Sequence, residues 1–107
     1  MTEATSKISP SRGARLTVTV VIVNDLGLHA RPAAEFVKIA NKYKDCQVMV
    51  KNEDMQVNGK SIMGLLMLAA GKGTNLELTI SGPDCHELAR ELTDLINGGF
   101  GEEITDS

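Results

Sequence analysis

Residues 16–40, LTVTVVIVNDLGLHARPAAEFVKIA, change their hydrophobic period halfway along. Leu16, Val18, Val20 and Ile22 recur at every second position among β-branched neighbours, which predicts a strand over Leu16 to Val23. Asn24, Asp25 and Gly27 break it. From about Ala30 to Tyr43, the residues Ala33, Phe36, Val37 and Ala40 recur at helical spacing, with Glu35, Lys38 and Lys42 on the other sides. Pro32 falls in the first helical turn, where a missing N–H costs nothing. The junction between the two periods, Gly27-Leu28-His29-Ala30-Arg31-Pro32, therefore sets a histidine at the start of a helix.

The pattern continues downstream. Cys46 to Lys51 reads as a second strand and Met55 to Val57 as a short third, with turns at Asn52 to Asp54 and at Asn58-Gly59. Ser61 caps a short helix over Ile62 to Ala70, closed by Gly71 and Gly73. Its expected core stripe is Leu65, Leu68 and Ala69. In Leu76 to Ser81 a dry face alternates with a wet one. Asp84, with Glu87 three residues on, forms a capping-box pattern ahead of a helix whose stripe is Cys85, Leu88, Leu92, Leu95 and Ile96. The order β-α-β-β-α-β-α, with strands polar on one face, predicts an α+β domain. Its four-stranded, largely antiparallel sheet is covered by helices on one side. The expected domain spans residues 15–98, between a flexible tail at 1–14 and an acidic flexible tail at 99–107.

Composition narrows the function classes. A chain of 107 residues makes one core and a shallow surface, which weighs against an enzyme that must surround its substrate. The aromatic residues are Phe36, Phe100 and Tyr43 alone, and the net charge is −3, so neither stacking platforms nor a basic footprint for nucleic acid is present. No run has the ~20 apolar residues of a membrane span, and Met1 to Arg15 lacks the apolar core of a secretory signal. A soluble, cytoplasmic protein is expected, with Cys46 and Cys85 as reduced core thiols. A zinc site built from His29, His86 and the cysteines would need ligands from elements that point into the core, so no metal or cofactor is expected.

The His29 turn carries the chemistry. The first backbone N–H groups of a helix have no intrahelical partner and form a ready anion site. Arg31 can add a charged donor to the same spot. A neutral histidine is a good nucleophile, and a phosphoryl group on its ring would lie against those donors. On spacing alone, a plain helix cap beside a solvated arginine explains the residues equally well.

Two segments resemble the signatures of the HPr family of phosphocarriers. Asn24-Asp25-Leu26-Gly27-Leu28-His29-Ala30-Arg31-Pro32-Ala33-Ala34 is similar to its active-site signature. Asn58-Gly59-Lys60-Ser61-Ile62-Met63-Gly64-Leu65-Leu66 is similar to its regulatory serine segment. The resemblance runs from about residue 16 to residue 97. It implies an open-faced β-sandwich, with a four-stranded antiparallel sheet in order 1-4-2-3 and three helices on one face. It implies that His29 accepts phosphate on Nδ1 from phosphorylated enzyme I and passes it to a histidine of a IIA domain, with Arg31 beside the phosphoryl group. It implies a docking surface drawn from Leu28, Ala30, Lys38, Ile62, Met63 and Leu66. It also implies phosphorylation of Ser61 where an HPr kinase exists, although an N-cap role explains that serine equally well. A carrier that offers one face to successive partners works best as a monomer. Leu26 departs from the family, standing where many members carry a short polar residue near the ring.

Three readings compete. The first is a phosphocarrier in a sugar-linked phosphotransferase relay. The second is a regulatory interaction protein akin to the nitrogen-related paralogue NPr, which the Asn97 to Glu103 ending resembles as much as it does the sugar-system HPr, while the Asn58 to Gly64 segment leans towards a kinase-regulated HPr. The third is an α+β ligand-binding module without phosphoryl chemistry.

Overall fold

A computed structural model describes residues 14–105. The expected tail at 1–14 lies outside the described residues save for its last one, Ala14.

Among the described residues, seven elements follow one another: β1 (Arg15–Val21), α1 (Ala30–Ala40), β2 (Gln47–Lys51), β3 (Gln56–Asn58), α2 (Ile62–Met67), β4 (Asn75–Ser81) and α3 (Cys85–Asn97). A single 3-10 turn, Gly99–Gly101, follows α3. The strands form one antiparallel sheet in the order β1-β4-β2-β3. Val18 and Val50 flank Leu78 in register, and Val48 faces Ile80. One face of the central strands is therefore continuous hydrocarbon, with Val48, Val50, Leu76, Leu78 and Ile80 all buried. The other face carries Thr17 and Thr79, whose hydroxyls meet at 3.2 Å.

The helices close the apolar face. From α1 come Pro32, Ala33, Phe36, Val37 and Ala40, and from α3 come Cys85, Leu88, Ala89, Leu92 and Ile96. Burying one such side chain as large as Phe36 or Leu92 contributes about 1.5–3 kcal/mol. Both cysteines are buried and unpaired, and burial pushes the Cys46 thiol up. No helix among the described residues is long and apolar enough to cross a membrane.

Three local expectations need correction. The short helix ends at Met67 with Leu68 as its C-cap, and the left-handed position that stops it is Ala69 (φ 50°) rather than a glycine. That bend buries Leu68 and Ala70 and exposes Ala69, and it frees two carbonyls to accept from elsewhere: Leu68 from Asn52 Nδ2 and Ala70 from the Leu28 amide. Asp84 occupies the N-cap of α3 but is itself left-handed (φ 63°), so its side chain makes no cap bond and the capping box does not form.

The third correction concerns the chain's end. Residues 99–105 are not a detached tail. Gly99, Phe100 and Gly101 all have positive φ, which reverses the chain directly after α3. Phe100 is buried as a result, and the gain from hiding an aromatic ring offsets about 1–2 kcal/mol of left-handed backbone strain. The segment then runs back past the loop before α1. The Asp25 amide bonds the Glu103 carbonyl at 3.0 Å, and Asp25 accepts from both the amide and the hydroxyl of Thr105.

Candidate phosphoryl-acceptor site

β1 delivers the chain to a tight turn in which Gly27 has φ 73°, and any Cβ there would sit 2.6 Å from the Ala70 carbonyl oxygen. Only glycine fits without moving backbone. The turn places His29 as the N-cap of α1, with extended backbone (φ −86°, ψ −167°) and no side-chain cap bond. The His29 carbonyl accepts the Ala33 amide, while the amides of Ala30 and Arg31 have no carbonyl a turn earlier to bond. Pro32 removes a third donor.

The imidazole is neither packed inside nor fully solvated, its side chain being 38% exposed. Its Nε2 lies 2.9 Å from both carboxylate oxygens of Glu102. A carboxylate only accepts, so Nε2 carries the proton and Nδ1 carries the lone pair in the neutral ring. The same carboxylate accepts from Arg31 Nη1 at 3.0 Å and from Asn24 Nδ2 at 3.0 Å. The hydrogen bond from His29 chiefly holds the Glu102 carboxyl below its ordinary value; burial works against this, and Asn24 and Arg31 assist. The residue is therefore an anion at neutral pH.

Asn24 is wholly buried and uses both amide hydrogens, one on Glu102 and one on the Gly27 carbonyl at 2.8 Å. It ties the histidine turn to the chain's end from beneath. Beside it, Asp25 is held at about 2, most strongly by the Thr105 hydroxyl, then by the Thr105 amide and Lys72.

The expected residues are distributed unevenly around this centre. His29 and Arg31 meet through Glu102, and Arg31 also reaches the Phe100 carbonyl at 3.4 Å. Ala30 and Lys38 are exposed on α1. Leu28 is not a surface residue: it is 5% exposed and part of the core, because its amide bond to Ala70 turns the side chain inward. Ile62 and Met63 are exposed and Leu66 half-buried, while Met67 and Leu26, at 62% and 73%, add exposed apolar surface that the pattern did not single out. Ser61 Oγ accepts the Gly64 amide at 3.0 Å. His86 is exposed on α3.

Glu102 and Asn24 escaped sequence reasoning. The one available signal was Phe100, an aromatic residue between glycines in an acidic ending, which has no reason to be there unless it docks.

Comparison with known proteins identifies the family. A family model described as "PTS HPr component phosphorylation site" matches residues 16–98. The chain is 54% identical to "Phosphocarrier protein HPr" of Neisseria meningitidis serogroup A over 87 residues, covering 81% of this chain and 97% of that one. Among solved structures, HPr-C-His from Thermoanaerobacter tengcongensis matches with a TM-score of 0.78 at 44% identity, over 83% of this chain and 99% of that chain. A structure from the same organism described as an HPr dimer matches with a TM-score of 0.65 at 45% identity, over 79% and 97%.

Proposed function

The chain belongs to the HPr family of phosphotransferase-system phosphocarriers, and from that premise we propose that His29 Nδ1 takes a phosphoryl group from phosphorylated enzyme I and passes it to a histidine of a IIA domain. The observation that carries this reading is the Glu102 carboxylate on Nε2, which leaves Nδ1 as the nucleophilic nitrogen of a half-exposed ring at a helix N-terminus. In the accepting step the Nδ1 lone pair forms the new N–P bond, and the donor's N–P electrons return to the donor nitrogen. Phosphoryl transfer asks for in-line positioning and charge stabilisation more than for covalent help. The free amides of Ala30 and Arg31 and the Arg31 guanidinium are suited to that task.

A relay of this kind works in the cytoplasm and as a monomer, since one exposed ring must meet two partners in turn. Its docking surface is Ala30 and Lys38 of α1 together with Ile62, Met63 and Leu66. Apolar side chains left in solvent beside a reactive group favour a contact role, and methionine adapts to more than one partner. Ser61 phosphorylation would add nearly two negative charges beside that surface and weaken docking to an acidic enzyme I. A Ser61→Asp variant that docked with unchanged affinity would overturn this regulatory part.

The test of the transfer itself is incubation with phosphoenolpyruvate and enzyme I. One acid-labile phosphate per chain is expected, absent from His29→Ala and passed on to a IIA domain. A wild-type chain that stayed unlabelled would refute the proposal.

A further inference from the structure

We propose that Glu102, set in place by the buried amide of Asn24, holds the Nε2 proton of His29 through both halves of the phosphoryl cycle, so that the group departs from a neutral imidazole and no proton has to move. The inference rests on His29 being the phosphoryl acceptor.

With the ring neutral, its single hydrogen is shared between the two Glu102 oxygens at 2.9 Å each. When Nδ1 bonds phosphorus, the ring becomes a phosphoimidazolium cation, and Glu102 already lies against it as the counter-charge. When the N–P bond breaks, its electron pair returns to Nδ1 and the ring is again neutral with Nε2–H. Without the carboxylate, the cationic ring would shed its hydrogen to water. The leaving group would then be an imidazolate, which departs far less readily. A carboxylate that stabilises an imidazolium and fixes its tautomer is the established logic of a hydrolase triad, transferred here to a half-buried glutamate of a carrier.

Asn24 is what keeps the carboxylate there. Arg31 is 57% exposed and shares Glu102 Oε2, so it can turn to an arriving phosphoryl group. Glu102 would then lose one of its three donors. Asn24 is wholly buried, water does not compete for its amide, and one of its hydrogens remains on Oε1. Its own Oδ1 is buried with no hydrogen-bond partner among the described residues, an unfavourable arrangement that an apolar residue of similar size would avoid. The other charged groups on the elements around the ring do not substitute. Asp25 is engaged by Thr105 and Lys72, Glu103 is exposed, and α2 carries no charge.

The experiment uses the full chain phosphorylated chemically with phosphoramidate, so it does not depend on enzyme I. Nitrogen NMR of the ring reads the tautomer, and phosphate release to water is followed against pH. Wild type is expected to show a single Nε2–H tautomer with phosphate on Nδ1. In Glu102→Gln the tautomers mix, and the release profile moves about one pH unit lower, a roughly tenfold slower release on its sloping limb. Glu102→Asp recovers part of the shift, and Asn24→Ala moves the profile in the same direction by less. Should Asn24→Ala fail to fold, Glu102→Gln decides alone. Superimposable profiles and an unchanged tautomer in Glu102→Gln would overturn the proposal, as would phosphate on Nε2 of the wild type. Failure of enzyme I to label the chain would count against the acceptor reading and leave these outcomes readable.

Discussion

α1 and α2 begin alike and end up with opposite uses for their first residue. His29 and Ser61 are both N-caps with extended backbone, each following a turn that holds a glycine. Ser61 spends its oxygen on the helix, accepting the Gly64 amide. His29 makes no cap bond, and its ring turns outward to Glu102. The difference lies in what each helix needs. α2 has six residues and buries only Leu65, so a cap is a large part of what keeps it wound. α1 has eleven residues and a broad buried stripe, so it stands without one, and the first amides of α1 stay open. A helix secured by packing can leave its N-terminus to chemistry, whereas one secured by its cap cannot.

Gly27→Ala should hit this contrast hardest. It forces a left-handed alanine whose Cβ would sit 2.6 Å from the Ala70 oxygen, which should cost about 2–3 kcal/mol in chemical denaturation. It should also slow labelling of His29, because the turn that aims the ring must shift. Full stability in this variant would mean that the turn is not what sets the ring. Ser61→Ala should do the reverse: a loss of about 1 kcal/mol with phosphoryl acceptance unaltered. A matching loss of stability in His29→Ala would erase the distinction between the two caps.

The smallest effect concerns the clasp around Asp25. Its carboxyl sits at about 2 rather than 3.8, so the folded state favours the charged form. The contribution is complete above about pH 4, declines as the acid range is entered and is gone once the pH has fallen through about 2. Protection of the Thr105 amide, measured against its intrinsic exchange rate at each pH, should be lost across that window and stay constant between pH 5 and 8. A Thr105 amide already unprotected at neutral pH would show that the clasp does not hold residues 103–105.

Much of this was legible in the chain. Alternation at Leu16 to Ile22 and at Leu76 to Ile80, and the helical stripe through Ala33, Phe36 and Val37, record which faces must leave water, and packing honoured them. His29, Arg31 and Ser61 stood out because turn chemistry is local. Glu102 did not, since it lies 73 residues from His29 and meets it only after Gly99 to Gly101 reverse the chain. Leu28 misled for a related reason: nothing in its neighbours announces that the Ala70 carbonyl will capture its amide.

The sequence by itself determined the period of each element, the histidine at a strand-to-helix turn and the serine cap, because these follow from bonds and apolar faces within a few residues. Tertiary structure alone decided which ring nitrogen keeps its hydrogen. That choice depends on a carboxylate and a buried amide brought to one point from opposite ends of the domain, and no spacing rule encodes a meeting that only the packed core creates.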